Sequence, residues 1–96
     1  MQGNKRSKSK LGKTGKRGKM KVEEQLINRA RKNIRKWSVQ DFETLGLAVC
    51  EEAGELAQAI IKYKHEDGRR ARIMEEAIDL GALCIQIIEV VQGIEQ

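Results

Sequence analysis

The sequence has 96 residues, which is enough for one small domain. Lys and Arg outnumber Asp and Glu by 19 to 14, but nine of the basic residues and none of the acidic ones lie in residues 1–21. Residues 22–96 are therefore mildly acidic, so the basic composition does not by itself indicate a nucleic-acid-binding protein. No apolar run is long enough to cross a bilayer and no hydrophobic segment follows the basic N-terminus, which favours a cytoplasmic protein without membrane contact.

Residues 1–21 are predicted to form a basic, flexible tail, because Lys, Gly and Ser offer too little apolar surface to offset the entropy of ordering. Nucleic acid could bind only to this tail, through its phosphates and in a salt-sensitive way. The tail has no aromatic side chain to stack on bases, and a run of like charge is more often a solvated appendage. The fold and the site are therefore assigned to residues 22–96.

The spacing of apolar residues predicts three α-helices and no strands after the tail. They are expected at about residues 22–37, 39–64 and 69–92, with Ser38 as the N-cap of the second helix and a turn at 65–68. Lys and Arg are expected to fill the outer face of the first helix. The predicted inward-facing apolar residues are Ile27, Ala30, Ile34 and Trp37 in the first helix, Leu45, Val49, Leu56, Ala59 and Tyr63 in the second, and Ile73, Leu80, Leu83, Ile87, Val90 and Ile94 in the third.

The third predicted helix is apolar on more than one side, because Ile78, Ile85 and Ile88 lie away from its main stripe. A helix of this kind is expected to be buried on both sides. Three helices also give a thin core to a lone chain. The sequence therefore predicts an all-α fold, an antiparallel helical hairpin plus an N-terminal helix. Dimerisation is expected to complete a four-helix-bundle core, with a homotetramer as the alternative.

Two glutamates occupy positions that the apolar pattern assigns to the core, Glu52 in the second helix and Glu76 in the third. Each is followed three residues later by another acid on the same face, Glu55 and Asp79. If the helices pack antiparallel, the two pairs meet. Ionised carboxylates in a helix seam each cost on the order of several kcal/mol, which a bound divalent cation offsets. All-oxygen ligation by these four residues predicts Mg²⁺, with Mn²⁺ as the second choice.

Acid-rich helices are more often simply solvated faces, and this interpretation is expected to hold for Glu51 and Glu75. For Glu52 and Glu76 it would require the whole apolar stripe to be misplaced, so metal binding is favoured. Magnesium keeps ligand positions open for water and for substrate phosphates. The acidic pattern therefore indicates phosphate chemistry.

Two segments resemble the signature of the MazG-like, all-α nucleoside triphosphate pyrophosphohydrolases: Glu51-Glu52-Ala53-Gly54-Glu55-Leu56 and Glu76-Ala77-Ile78-Asp79-Leu80. The signature consists of two adjacent Glu, two spacers and a Glu, followed after a turn by Glu, two spacers and Asp. The resemblance covers about residues 37–91. It implies magnesium-dependent hydrolysis of an NTP or dNTP between the α and β phosphates, giving the monophosphate and pyrophosphate.

The resemblance also implies roles for individual residues. Glu52, Glu55, Glu76 and Asp79 would hold the metal, and Glu51 or Glu55 would accept the proton of the attacking water. In many members a further helix carries Asn, Lys and Arg that contact the substrate, and residues 1–96 contain no counterpart of it. Phosphate-contacting cations are then expected in the tail, in a partner subunit or near the turn. The candidates near the turn are Lys62, Lys64, Arg69, Arg70 and Arg72.

Three other interpretations stay open. The phosphoribosyl-ATP pyrophosphatases share a similar motif, although Ala48 and Val49 stand here where those enzymes usually carry a Lys before the Glu pair. A catalytically silent relative would be a helical oligomer that binds nucleotide or metal without turnover. A nucleic-acid-binding accessory protein would act through its basic tail.

Trp37 and Phe42 flank the start of the second predicted helix. An aromatic ring there could stack on a nucleobase, and Trp37 is kept as a candidate for substrate binding. At helical spacing, however, an aromatic residue is more often part of the core, and that interpretation is favoured for both. Gly46, Gly54 and Gly81 lie inside predicted helices, where glycine is unfavourable, so each is expected to mark close helix packing. For Gly54, between Glu52 and Glu55, the alternative is that it leaves room beside the metal.

Overall fold

A computed structural model describes residues 20–95, with side-chain surroundings for residues 20–93. This part of the chain forms three α-helices and no strand: α1 (Val22–Trp37), α2 (Phe42–His65) and α3 (Arg70–Glu95). The all-α prediction is confirmed, and no helix end differs from its expected position by more than three residues. The predicted tail lies almost wholly outside the described residues. Among the described helices, none has the length and apolarity needed to cross a membrane.

The junction between α1 and α2 differs from the prediction. Ser38, the expected N-cap of α2, instead ends α1 with a φ of 68°, and its N–H donates to the Ile34 carbonyl at 2.8 Å. The N-cap of α2 is Asp41, whose carboxylate accepts a hydrogen bond of 2.8 Å from the Thr44 N–H. This hydrogen bond lowers the pKa of Asp41. Helix α2 therefore begins at Phe42, three residues later than expected.

Helix α3 lies at the centre of the fold, because it packs against both α1 and α2, which do not pack on each other. The α2–α3 hairpin turns at Gly68, whose N–H donates to the Lys62 carbonyl at 3.2 Å. A Cβ atom at Gly68 would lie 2.9 Å from the Lys62 backbone, so the turn needs glycine. Two packing partners explain why α3 is apolar on more than one side. Burial of α3 on both sides is not complete within one chain, because Ile88 is 55 % exposed.

The core of the described chain is small and built largely from alanine. Its buried hydrophobic residues are Ala30, Leu45, Ala59, Ala82 and Leu83. Four predicted core residues are exposed instead: Ile27, Trp37, Phe42 and Tyr63. The core interpretation of the two flanking aromatic residues is therefore wrong. The Trp37 ring is 60 % exposed at the end of α1, with Lys36 Nζ 5.0 Å from its centroid.

Gly81 allows α1 to approach α3 closely. A Cβ atom at this position would lie 2.6 Å from Leu26 Cδ2 of α1, which is well inside van der Waals contact. Close packing was expected here and is confirmed. A Cβ atom at Gly46 or Gly54 would have no neighbour within 4 Å, so the expectation of close helix packing is wrong for these two residues.

The contrast between Gly81 and Gly46 gives a test of the α1–α3 contact. Gly46→Ala should raise the free energy of unfolding by about 1 kcal/mol, since alanine favours the helix and meets no neighbour. Gly81→Ala gains the same helix propensity but must move the Cδ2 end of the Leu26 side chain, which should cost about 1 kcal/mol. Urea denaturation of both variants should therefore find Gly81→Ala the less stable one. Equal stabilities would contradict the close approach of α1.

Candidate metal centre and adjoining cavities

The seam between α2 and α3 brings three carboxylates together. Glu52, Glu76 and Asp79 each offer an oxygen atom, and these atoms all lie within 4.8 Å of one another. The Glu76 side chain is only 12 % exposed, and all three residues are at least partly buried. The hairpin places the middle of α2, which carries Glu52, beside the first half of α3, which carries Glu76 and Asp79. The structure thus joins three of the four predicted ligands.

Glu55 and Glu51 stand outside this group of three. Glu55 is half-buried and lies close enough for its charge to raise the pKa of Glu52. Glu51 is exposed, as expected for a solvated face, and lines a cleft beside the acidic residues. Metal ligation by Glu55, and proton acceptance by Glu51 or Glu55, stay predictions.

Two oxygen atoms of the cluster lack a hydrogen-bond donor. Oε1 of Glu52 and Oε1 of Glu76 are buried, and no donor in the described part of the chain reaches them. The pKa of Glu52 is raised to about 7, first by burial, then by the hydrogen bond it can share with Glu76, and then by the charges of its acidic neighbours. A proton on Glu52 would supply a donor to the pair, and a divalent cation would serve both oxygens. The donor set fits a hard divalent cation.

Two arginines partly neutralise the cluster. Arg29 Nη1 of α1 donates to the Asp79 carboxylate, and Arg72 Nε lies 3.5 Å from Glu76 Oε2, one turn away on α3. Arg72 was a predicted substrate-binding residue, and it lies beside the acidic residues. Arg29 was missed, because the sequence pattern assigned every cation of α1 to the outer face. No helical periodicity reveals a contact between residues that are 50 positions apart.

A cleft of about 410 Å³, here called the acidic cleft, opens between α1 and α2. It exists because these two helices pack on α3 and not on each other. Within it the Asn33 amide donates to Gln86 Oε1 at 3.0 Å, and Gln86 is almost fully buried. The cleft combines acidic, apolar, amide and aromatic side chains: Glu51, Glu52 and Asp79; Leu45, Ala48 and Leu83; Asn33, Gln40 and Gln86; and Trp37.

A second cavity of about 310 Å³, here called the basic groove, adjoins the acidic cleft. The two cavities have Asn33, Trp37 and Asp79 in common. Lys62 and Arg69, which were predicted to bind substrate, line neither cavity, and their role in substrate binding stays a prediction. The basic groove is lined by Arg29, Lys32, Asn33, Lys36, Trp37, Glu75 and Asp79.

None of the protein-family models, curated proteins and solved structures compared with this chain matches it. The function therefore has to be inferred from the geometry of the acidic cleft and the basic groove.

The raised pKa of Glu52 predicts how metal-free stability changes with pH. Between pH 4.5 and about 7 the unfolded chain loses this proton while the folded chain keeps it, so rising pH favours unfolding. The stability that Glu52 contributes is complete below pH 4.5 and is lost as the pH passes about 7. Thermal melts from pH 4 to 8 with EDTA should therefore show a decline that is reduced in Glu52→Gln.

A divalent cation competes with the proton on Glu52, so the two effects should be linked. Adding Mg²⁺ or Mn²⁺ should raise the melting temperature more at pH 8 than at pH 5, and Glu52→Gln should weaken that rise. The assignment of this cluster would be contradicted if the melting temperature fell equally with pH in the wild type and in Glu52→Gln, and if the cation changed it in neither protein.

Proposed function

We propose that this chain is a Mg²⁺-dependent nucleotide pyrophosphohydrolase of the MazG-like, all-α kind. It would convert an NTP or dNTP and water to the monophosphate, pyrophosphate and a proton. One observation carries the proposal: a helix seam holds Glu52, Glu76 and Asp79 together, with two buried oxygens left without a donor. Such a seam is unfavourable for folding alone and suits a hard divalent cation beside a cleft.

The acidic residues have distinct tasks in this proposal. Glu52, Glu76 and Asp79 hold the cation, which when bound neutralises phosphate charge and favours attack by water on the anhydride between the α and β phosphates. Glu51 lines the cleft beside them and is exposed, which suits the acceptor of the water's proton. Glu55 is the alternative acceptor and the fourth proposed ligand.

The other side of the acidic cleft suits a nucleoside. Leu45, Ala48 and Leu83 supply apolar surface, while the Asn33–Gln86 amide pair supplies hydrogen-bonding groups at a fixed position. The Lys36 ammonium lies over one face of the exposed Trp37 ring, which leaves the other face for a nucleobase. A nucleobase beside the acidic cluster would bring the first phosphate of the nucleotide to the carboxylates.

A second candidate function is favoured by one observation. Arg29 already pairs with Asp79, and Arg72 lies near Glu76, so part of the negative charge is neutralised without a metal. A catalytically silent nucleotide-binding protein would retain such ion pairs. Turnover in the presence of Mg²⁺ separates this candidate from the enzyme.

A second copy of the chain is the proposed partner. Large apolar side chains are exposed on α2 and on α3, where a dimer that forms a four-helix bundle would cover them. They are Phe42, Leu47, Ile60, Ile61 and Tyr63 on α2, and Met74, Ile88 and Val91 on α3.

A panel of NTPs and dNTPs with Mg²⁺ tests the enzymatic proposal, with monophosphate and pyrophosphate as the measured products. Glu52→Ala and Asp79→Ala should each lower kcat/KM by about 100-fold or more, because they remove proposed metal ligands. Glu43→Gln removes an exposed carboxylate at the start of α2 and should leave turnover unchanged. Full activity in the Glu52 and Asp79 variants would refute the assigned site, and unchanged turnover in Glu55→Ala would remove Glu55 as the proton acceptor.

Trp37 is the only tryptophan in the sequence, so its fluorescence reports directly on nucleotide binding. Titration with the preferred nucleotide should quench the emission, because the base stacks on the exposed indole. Tripolyphosphate, which has no base, should quench it much less. Trp37→Ala should raise KM about 10-fold, the usual weight of one stacked base. Quenching of equal size by tripolyphosphate would contradict stacking on Trp37.

A further inference from the structure

The basic groove lies between α1, which supplies its three cations, and α3, which contributes Glu75 and Asp79. Arg29, Lys32 and Lys36 lie three and four residues apart, so their side chains leave the helix on the same side. Arg31, on another side of α1, instead pairs with Glu89 through hydrogen bonds of 2.8 and 2.9 Å. The three cations of the groove thus form a concave basic surface.

Two of these cations are available to a ligand. In the described part of the chain, neither Lys32 nor Lys36 has a carboxylate oxygen within 4 Å, and both are exposed. Arg29, the third, joins the groove to the acidic cluster through Asp79. A charged helix face is usually just solvated. This one lines a cavity that continues into the acidic cleft, and that continuity distinguishes it.

The order of the two cavities sets the direction of a bound nucleotide. The acidic cleft carries the apolar and amide groups that suit a nucleoside, and the groove carries the cations that suit phosphates. Asp79 lines both, so this carboxylate of the acidic cluster lies where they meet. A chain of phosphates that crosses this junction has its inner phosphate at the carboxylates and its outer phosphates in the groove.

We propose that the basic groove on α1 binds the β and γ phosphates of the substrate, which depart as pyrophosphate. Lys32 and Lys36 then select nucleoside triphosphates over diphosphates and monophosphates. The assignment to a leaving group rests on the proposed hydrolysis. Phosphate binding by the groove does not depend on that hydrolysis, so inorganic pyrophosphate should bind here without a nucleoside.

Isothermal titration calorimetry with inorganic pyrophosphate, in EDTA and at fixed salt, tests the groove without any turnover. Lys32→Gln/Lys36→Gln should bind pyrophosphate at least about 10-fold more weakly than the wild type, since two direct phosphate contacts are lost. The matched control is Arg31→Gln/Arg35→Gln, which removes the same charge from exposed residues of the same helix that line neither cavity. It should bind pyrophosphate as the wild type does. Circular dichroism melts should find both double variants folded.

Other outcomes separate the groove from the proposed hydrolysis. Equal weakening in the two double variants, or no pyrophosphate binding by the wild type, would overturn the groove. If NTPs are hydrolysed but Lys32→Gln/Lys36→Gln has the KM of the wild type and the same inhibition by pyrophosphate, the groove is not a phosphate site. The proposed hydrolysis would be unaffected by that result. If pyrophosphate binds through Lys32 and Lys36 but no nucleotide is hydrolysed, the proposed function fails and the groove stands as a polyphosphate site.

Discussion

The opposed carboxylates of Glu52 and Glu76 in the α2–α3 seam are the constraint around which the rest of the structure is arranged. Both side chains point into the contact on which the hairpin depends, and each has a buried oxygen with no donor. Three features reduce the resulting repulsion: the raised pKa of Glu52, Arg72 beside Glu76, and Arg29 on Asp79. A fold selected for stability alone would place apolar side chains in this seam. Its retention of acids is the main physical argument for a ligand.

The two contacts of α3 explain both the shape of the site and the pattern of the sequence. Helix α3 packs against α2 through the hairpin and against α1 through close approach at Gly81. Because α1 and α2 do not meet, the space between them becomes the acidic cleft. Apolar residues on several sides of α3 are therefore largely accounted for within one chain. Contacts within one chain do not cover Leu47 and Ile61 of α2 or Met74 of α3, and these exposed side chains are the reason to expect a second copy.

Patterns confined to one helix could be predicted, and contacts between helices could not. Apolar spacing located all three helices and identified Glu52 and Glu76 as inward-facing, because both properties follow from 3.6-residue periodicity. The start of α2 was missed because Ser38 and Asp41 are both good N-caps, and only the backbone geometry decides between them. Arg29 was missed because its role depends on how α1 crosses α3, which no single-helix pattern contains.

The position of α1 controls the site as much as the hairpin does. The same helix carries Arg29 to the acidic cluster, Asn33 to Gln86 and Trp37 to the acidic cleft. Since α1 does not touch α2, its position depends on its packing against α3, where Gly81 permits the close approach. A shift of α1 would therefore move the amide, the aromatic ring and the cations together relative to carboxylates that stay on the hairpin. The fold thus fixes the order of the apolar and amide groups, the carboxylates and the cations through one helix contact.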